Sequence, residues 1–321
     1  MKNKYSIIFA CDKNFLFTFS IALMSIKKYS HSTLQNTDII LFYNGLEQAD
    51  FDFINKIHPV IFKEYHFPLN INMNDTNFKK YTQLAYARYE AFTMLDEYEK
   101  ILYMDVDTIV TGNLDYIFEN FCNNNGIAFA YDEQKGLEKI TKNFKKPMSE
   151  YNMDIRGYNS GVILFSNKLI NRKEIKEWCY QETVNMLDNL ICTDQGILNL
   201  MLQKFNIIPN ILPDICNCMP ACKKYMDKRY RDKVIIYHCA GGGVRFWRYS
   251  YYPRWQELYN KYLEMGGKPH TAKEKPWLII IKKYKLYKYD FFNESPNPYT
   301  HIGKFVKYLI SYPFYYIFYK K

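Results

Sequence analysis

The sequence predicts an α/β protein built on a mostly parallel sheet with helices on both faces. Segments typical of strands alternate with segments typical of helices, an order that favours parallel sheets. The chain has 321 residues, of which 48% are hydrophobic and 18% aromatic. Because a chain of this length and composition can bury a full core, we expect one large globular domain with at most one appendage.

Each predicted element follows from a local pattern of apolar residues, bounded by polar or turn-forming residues. The predicted strands are YSIIFACD, DIILFYNG, PVIFKEYHF, KILYMDVD, GIAFAYD, the apolar part of RGYNSGVILFSN, and KVIIYHC. The predicted helices are FTFSIALMSIKKYS, YTQLAYARYEAFTMLDEYE and one that opens within ICTDQGILNLMLQKF.

Four aspartates stand at the carboxyl ends of predicted strands, where ligands gather in open α/β sheets. They are Asp12, Asp105, Asp107 and Asp132. Asp105 and Asp107 end one strand two residues apart, so extended backbone would project both carboxylates to the same side. Carboxylates this close repel each other unless a cation or a donor lies between them. The pair therefore predicts a bound partner of opposite charge.

Arg88 lies on a predicted helix, on the face that should pack against the sheet. At 3.6 residues per turn it shares a stripe with Leu84 and Leu95. One interpretation is that its guanidinium passes the edge of the stripe or pairs with a structural carboxylate. The other is that it reaches the strand ends that carry Asp105 and Asp107.

Polar residues mark three further positions. Asn159 and Ser160 are expected just before a strand. Asp194 opens a predicted helix, where a carboxylate taken alone is favoured as a cap. His238 ends a strand and is followed within three residues by three glycines, whose amides can meet phosphate oxygens.

Charge is distributed unevenly along the chain. The net charge is +10, but the segment from Cys222 onward carries 21 Lys and Arg against 7 Asp and Glu. We therefore divide the chain into a body, residues 1–265, and a basic aromatic tail, residues 266–321. The tail predicts an anionic partner, lipid or nucleic acid, and its apolar stretches are too short to span a bilayer. A C-terminal helix packed on the body is the alternative.

The first residues contain no apolar run long enough for a signal sequence, so we expect a cytoplasmic protein. Its eight cysteines are then expected as thiols. Zinc binding is an alternative for the cluster Cys216, Cys218 and Cys222. The cluster has no C-x-x-C pair, so ordinary loop cysteines are favoured.

The order of several motifs is more specific than any one of them. They are FACDKN, YAR, YMDVD, YNSGVILF, DQGILN and YHCAGG followed by a Trp. In this order they resemble glycosyltransferase family 8, which includes bacterial lipopolysaccharide galactosyl- and glucosyltransferases and the glycogenins, over about residues 5–250. The resemblance implies that residues 1–265 form one Rossmann-like catalytic domain of the GT-A type. It also implies Mn²⁺ or Mg²⁺, a UDP-glucose or UDP-galactose donor, and retention of anomeric configuration.

The resemblance implies a role for each matching residue. Asp105, Asp107 and His238 would be the metal ligands, a set that suits Mn²⁺. Asp132 would lie toward the acceptor. The residues implied to contact the donor are Ala10, Asp12, Arg88, Asp105, Asn159, Gly241 and Arg245.

The implied catalytic residues, beside the anomeric carbon, are Asp194 and Gln195. Asp194 could act as a nucleophile, but a carboxylate can also stabilise an oxocarbenium-like cation without bonding to it. We favour attack by the acceptor hydroxyl on the same face of the sugar from which the leaving phosphate departs. The sequence differs from the family at Arg245, where members commonly carry the Lys of Lys-Pro-Trp. Arg245 can still bring positive charge to a diphosphate, with a different reach.

The expected function is transfer of glucose or galactose from a UDP-sugar to a glycan or glycolipid acceptor. Lipopolysaccharide or lipooligosaccharide is the expected acceptor, and the tail would hold the enzyme on the cytoplasmic face of an anionic membrane. A glycogenin-like protein that glucosylates itself would carry the same motifs. A basic nucleic-acid-binding protein is a further alternative, which the acidic body and the absence of a recognised motif disfavour.

Overall fold

The described part of the protein is a seven-stranded sheet covered by helices on both faces, with a separate two-stranded sheet beside it. The computed structural model describes residues 3–70, 82–122, 124–132, 138–219, 232–240, 245–248 and 253–271.

The structure describes nine strands and seven α-helices in these parts of the chain. The strands are β1 Tyr5–Asp12, β2 Thr37–Asn44, β3 Ile61–Glu64, β4 Lys100–Met104, β5 Thr108–Val110, β6 Ile127–Tyr131, β7 Tyr158–Ser166, β8 Asn210–Ile211 and β9 Ile236–His238. The α-helices are α1 Leu16–Tyr29, α2 Gln48–Ile57, α3 Ala91–Met94, α4 Asp115–Asn120, α5 Arg172–Asn185, α6 Thr193–Lys204 and α7 Pro253–Glu264. A 3₁₀ helix, Gln83–Glu90, precedes α3.

The large sheet has the strand order β3-β2-β1-β4-β7-β6-β8. β1 pairs in parallel with β2 and β4, β2 with β3, and β6 with β8. β7 runs antiparallel to both of its neighbours, β4 and β6. The predicted mostly parallel sheet is confirmed, with one reversed strand in its centre.

The two faces of the sheet bury separate cores, because side chains alternate between the faces along each strand. Ile7 and Phe9 of β1 pack with α1, α2 and α4 on one face. Ile8 packs with α3, α5 and α6 on the other. All three side chains are fully buried, and burial of an apolar side chain of this size contributes about 1.5–3 kcal/mol to stability.

The small sheet pairs β5 with β9 antiparallel, so that Thr108 lies opposite His238. A third cluster of buried residues joins this sheet to one side of α1 and to α7. Ser25 on α1 accepts a hydrogen bond from the amide of Val110 at 2.9 Å. These contacts fix β9, and with it His238, against the body of the protein.

Two local predictions were wrong. The segment from Gln83 to Glu90 forms a 3₁₀ helix and not the start of an α-helix. Residues i and i+3 eclipse in a 3₁₀ helix, so Ala85 and Arg88 share one face, and both line the cleft described below. Asn159 and Ser160 lie within β7 and not before it.

The tail from residue 272 onward lies outside the described residues, and so do Gly241 and Cys222. The predictions on these residues stay predictions. Within the described ranges, no helix is both long enough and apolar enough to cross a bilayer.

Candidate active site

A cleft of about 710 Å³ opens where β1 and β4 end. Because β7 is antiparallel to β4, its first residues meet the same edge of the sheet. The predicted site residues that line this cleft are Ala10, Asp12, Arg88, Asp105, Asp107, Asn159, Asp194, Gln195, His238 and Arg245. The fold therefore brings together residues from six separate segments of the sequence.

Asp105 and Asp107 lie in the turn between β4 and β5, not in extended backbone as the sequence suggested. The hydroxyl of Thr108 donates to the carbonyl of Asp105 at 2.7 Å, and the amide of Cys239 donates to the carbonyl of Asp107 at 2.9 Å. Nε2 of His238 lies 3.5 Å from Oδ2 of Asp105 and 3.3 Å from Oδ1 of Asp107. Both carboxylates thus face one imidazole nitrogen.

These three side chains could hold a divalent metal ion. Their donor atoms lie within 4.8 Å of one another. Two carboxylates and one imidazole suit a divalent cation such as Mn²⁺. In each carboxylate the oxygen that faces His238 is not the one bonded to an arginine, so the donor set fits a shared cation.

Gly161 on β7 gives this cluster its space. A Cβ at this position would lie 2.0 Å from Cε1 of His238 and 2.8 Å from Oδ2 of Asp105. Its carbonyl also accepts the amide of Asp105 at 2.8 Å. Any side chain here would push two of the three candidate ligands out of position.

Arg88 reaches the strand ends, as the second interpretation of its position predicted. Its guanidinium is buried, with Nη2 3.0 Å from Oδ1 of Asp105 and Nη1 2.9 Å from Oδ2 of Asp194. Nε donates to the carbonyl of Ala85 at 2.8 Å, and Nη1 also donates to the carbonyl of Ser160. Burial opposes the charge, but the two carboxylates outweigh it and raise the pKa of Arg88. Arg88 is therefore a fixed positive charge at the floor of the cleft.

Arg245 neutralises the second aspartate. Its Nη1 pairs with Oδ2 of Asp107 and lies 3.3 Å from the carbonyl of Cys239. Burial disfavours the Asp107 carboxylate, but Arg245 and His238 outweigh burial and hold its pKa below the usual range. Arg245 is more exposed than Arg88, so its guanidinium can move to another anion at lower cost.

His238 is charged at neutral pH when only protein groups surround it. Burial lowers its pKa, but hydrogen bonds to Asp105 and Asp107 outweigh burial and raise it to about 9. Nδ1, on the other side of the ring, lies 2.8 Å from Oδ1 of Asn217. A cation that takes the place between Nε2 and the carboxylates must displace one proton.

Asp194 is held by side chains and does not cap its helix. α6 begins at Thr193, and its N-terminus has no side-chain cap. Oδ2 of Asp194 accepts the hydroxyl of Ser160 at 2.6 Å and pairs with Arg88. The capping role favoured from the sequence was wrong. Because Asp194 lines the cleft, its carboxylate brings negative charge to it.

Gln195 is the centre of a buried polar cluster. Oε1 accepts from Nδ2 of Asn159 at 3.1 Å and from the amide of Ser160 at 3.3 Å. Nε2 donates to Oδ2 of Asp132 at 2.8 Å and to Oδ1 of Asn143 at 3.0 Å. Asp132 is fully buried and does not line the cleft. The expectation that it lies toward the acceptor stays a prediction.

The amino-terminal wall of the cleft comes from β1. Asp12, its last residue, accepts the amides of Asn14 and Phe15 at 2.8 Å and 3.3 Å through Oδ1. It therefore caps the short 3₁₀ helix Lys13–Phe15 as well as lining the cleft. Its other oxygen has no part in that cap.

Two members of the cysteine cluster lie among the described residues. Cys216 and Cys218 are buried free thiols. Burial, with a smaller effect of Asp214, raises the pKa of Cys216 to about 12. Cys222 lies outside the described residues, so zinc binding by the cluster stays an untested alternative.

A family model described as glycosyl transferase family 8 matches residues 6–250, most of the chain. The chain belongs to glycosyltransferase family 8. It is therefore a transferase, and the family resemblance seen in its motifs is confirmed.

One curated relative of this family 8 chain is the glycosyltransferase GlyB of Streptococcus pneumoniae serotype 4. The two sequences are 26% identical over 210 residues, which cover 62% of this chain and 45% of GlyB. The match thus spans less than half of the length of that relative.

Solved structures share the GT-A fold of this family 8 chain. The galactosyltransferase LgtC, in complex with donor and acceptor sugar analogues, has a TM-score of 0.60 at 20% identity; the alignment covers 85% of this chain and 98% of LgtC. The bifunctional glycosyltransferase WbbM has a TM-score of 0.60 at 16% identity, covering 83% of this chain and 52% of WbbM. GlyE of S. pneumoniae TIGR4 has a TM-score of 0.51 at 20% identity, covering 85% and 66%. The predicted fold class is confirmed.

Several further residues of the site were not predicted from the sequence. Tyr103, which donates to Oδ1 of Asp105 at 2.9 Å, follows the period-2 pattern of β4 and could have been found from it. Asn143 lies in a 3₁₀ helix, and Asn217 lies between Cys216 and Cys218, which were considered only as zinc ligands. No local pattern marks either asparagine as part of a cleft.

Proposed function

We propose that this family 8 enzyme transfers glucose or galactose from a UDP-sugar to a glycan or glycolipid acceptor, with retention of configuration. The observation that supports this proposal most is the approach of His238 Nε2 to one oxygen each of Asp105 and Asp107, 3.5 and 3.3 Å away. Two carboxylates converging on an imidazole nitrogen at a sheet edge suit a divalent cation.

Asp105, Asp107 and His238 would hold Mn²⁺ or Mg²⁺. When bound, such a cation neutralises the diphosphate charge that develops as the sugar–oxygen bond breaks. Arg245 would turn from Asp107 to the diphosphate, since the cation would then neutralise Asp107. Its guanidinium lies 5.5 Å from the Trp247 ring, and such contact limits how far it can move.

Ala10 and Asp12 would contact the uridine from the end of β1, together with the backbone around the capped turn. Gly241 would bring its backbone close to the diphosphate. Arg88 and Asn159 would surround the donor sugar. The Arg88 guanidinium already contacts four protein oxygens, so its orientation is set before the donor binds.

Asp194 and Gln195 would stabilise positive charge at the anomeric carbon. Oδ2 of Asp194 is bonded to Ser160 and Arg88, which reduces its strength as a nucleophile. This favours electrostatic stabilisation over a covalent bond to Asp194. The acceptor hydroxyl would then attack from the face that UDP leaves, and the departing phosphate would take its proton.

The acceptor would be the glycan of a lipopolysaccharide or lipooligosaccharide, with the enzyme at the cytoplasmic face of the membrane. The basic aromatic composition of residues 266–321 supports contact with anionic lipid. Co-sedimentation with anionic vesicles at low and high salt tests this contact. Failure of the full chain to sediment at low salt would overturn it.

A donor panel tests the proposed activity. The full chain is incubated with UDP-glucose, UDP-galactose and their N-acetyl forms, with Mn²⁺, with Mg²⁺ and with a chelator, and released UDP is measured. We expect UDP release from at least one of the two hexose donors, dependent on the cation. Release from neither hexose donor, or equal release in chelator, would overturn the proposal.

Two controls accompany the panel. Asp107→Asn is expected to abolish cation-dependent release, whereas Asp154→Asn, at an exposed carboxylate paired with Lys139, is expected to behave as the wild type. Intact-mass spectrometry after incubation with UDP-glucose detects a protein that glucosylates itself. An increase in protein mass by whole hexose units would show that the protein glucosylates itself. The glycogenin-like alternative would then replace the proposal of an external acceptor.

A further inference from the structure

A chain of four buried side chains connects the candidate metal ligand His238 to Gln195. Nδ1 of His238 lies 2.8 Å from Oδ1 of Asn217, and Nδ2 of Asn217 lies 2.9 Å from Oδ1 of Asn159. Nδ2 of Asn159 lies 3.1 Å from Oε1 of Gln195. Each of these residues is between 1% and 6% exposed, and Asn217, at 1%, does not line the cleft, so its side chain depends on protein partners.

Backbone amides fix the direction of this chain, since an amide N–H can only donate. The amide of Gly161 donates to Asn159 at 3.0 Å, so the Asn159 atom at that point is its oxygen. The Asn217 atom that approaches the same oxygen must therefore be its nitrogen. The oxygen of Asn217 then faces Nδ1 of His238, and Nδ1 must carry a proton.

The other end of the chain is fixed in the same way. The amide of Ser160 donates to Gln195, which makes the acceptor there Oε1. Nε2 of Gln195 then faces Asp132 and Asn143. Nδ2 of Asn143 donates to the carbonyl of Ile140 at 3.1 Å, so the Asn143 atom that faces Gln195 is its oxygen. Independent anchors thus agree on one orientation of every amide.

We propose that Asn217 is a positioning residue for the metal site: it keeps the proton of His238 on Nδ1 and so reserves Nε2 for the cation. Nε2 is the nitrogen that faces Asp105 and Asp107. Metal-bound imidazoles depend on a hydrogen bond of this kind at the opposite nitrogen, and its loss typically weakens metal affinity about 10–100-fold. The inference rests on the proposed function, because the cation is the one assigned to the transferase.

Binding of Mn²⁺ alone tests the inference without reference to turnover. Free Mn²⁺ is measured by electron paramagnetic resonance during titration of the full chain and its variants. Asn217→Leu removes the acceptor at similar volume, and its Mn²⁺ affinity should fall about 10–100-fold. Asn217→Asp keeps an acceptor for Nδ1–H, so its affinity should stay within a few-fold of the wild type, although its contact with Asn159 is lost.

Asn199→Leu is the matched control, since Asn199 is equally buried but bonds to Tyr158 and to the Gln195 backbone, not to His238. Its Mn²⁺ affinity should be unchanged. Thermal melting establishes that each variant is folded, and Asn217→Ser, whose hydroxyl is too short to reach Nδ1, replaces Asn217→Leu if the latter does not fold.

Two outcomes are distinguishable. If the wild type binds Mn²⁺ and the folded Leu or Ser variant binds equally well, the role of Asn217 is wrong and the proposed function stands. If the wild type does not bind Mn²⁺, the cation of the proposed function is overturned, and the inference with it.

Discussion

Nη2 of Arg88 lies 3.0 Å from Oδ1 of Asp105, and this contact leaves Oδ2 of the same carboxylate to face His238. Asp105 thus pairs with the buried guanidinium of Arg88 through one carboxylate oxygen and faces the candidate metal site with the other. Asp107 divides its oxygens in the same way between Arg245 and His238. The two pairs differ in burial, because Arg88 is 4% exposed and Arg245 is 30% exposed.

This difference in burial predicts different stabilities for Asp105→Ala and Asp107→Ala. Both variants should lose cation-dependent UDP release by more than the roughly 10–100-fold typical of residues that only orient a ligand. Asp105→Ala should also lower the free energy of unfolding, because Arg88 keeps only Asp194 as a carboxylate partner. We expect a loss of about 2 kcal/mol or more, toward the roughly 3–5 kcal/mol of a broken buried pair.

Asp107→Ala should cost less than Asp105→Ala, since Arg245 is more exposed than Arg88 and can turn to water. Urea unfolding of the metal-free variants measures both values. Equal destabilisation by the two substitutions would contradict the distinction drawn between the arginines.

Arg88→Lys should reduce both activity and stability. An ammonium group is a single point charge and cannot reach Asp105, Asp194 and two backbone carbonyls at once, as the planar guanidinium does. We expect at least about tenfold lower UDP release and a loss of about 1–3 kcal/mol in unfolding free energy. Arg254→Lys, at an exposed arginine on α7, is the control and should change neither. If Arg88→Lys keeps its activity per folded molecule, Arg88 contributes to the stability of the fold and not to the reaction.

Gly161→Ala should disrupt the cation site while the sheet remains. The added methyl would lie 2.0 Å from Cε1 of His238, a residue that is 3% exposed and held by Asn217 through Nδ1. Gly157→Ala, four residues earlier, is the matched control, since its Cβ would meet its nearest neighbour at 3.5 Å. Mn²⁺ titration should show weakened binding for Gly161→Ala only, and equal affinities would mean that His238 can move away.

Cation binding should strengthen as pH rises toward about 9. The folded pKa of His238 is raised from 6.5 to about 9, so its charge stabilises the metal-free fold fully below pH 6.5, and this contribution is lost as pH passes through about 9. Below that value Mn²⁺ must displace the proton, so its apparent affinity should rise up to about tenfold per pH unit.

Titrations with Mn²⁺ at pH 6.5, 7.5 and 8.5 measure this dependence. His238→Gln removes the competing proton and should flatten the profile as well as weaken binding. An affinity of the wild type that does not change over this range would show that no proton on His238 competes with the cation there, and would contradict the raised pKa.

The sequence predicted those features that depend on local residue order. β1 was predicted with its observed bounds because both of its faces are buried and its apolar run is continuous. Asp105, Asp107 and His238 were found because polar residues directly after apolar strands are conspicuous. The direction of β7 was not predictable, since a fully buried strand shows the same apolar run in either orientation.

Other features depend on contacts between distant segments. Residues three apart lie near each other in both helix types, so the buried pair Tyr86 and Tyr89 in the 3₁₀ helix Gln83–Glu90 gives the pattern that an α-helix would also give. Asn217 bonds to Asn159 across 58 residues of sequence. No periodicity connects two such residues, so only the folded chain identifies their partnership.

The small sheet of β5 and β9 has a consequence for the order in which the protein assembles. Asp107 and its partner Arg245 are separated by 138 residues of sequence, and the contact can form only after that loop has closed. Contacts this distant come late in folding, whereas β1, β2 and their connecting helix can pair as soon as they are synthesised. A ribosome-bound chain that ends before β9 lacks His238 and Arg245 and should therefore fail to retain Mn²⁺. Retention of the cation would thus report that β9 has paired with β5.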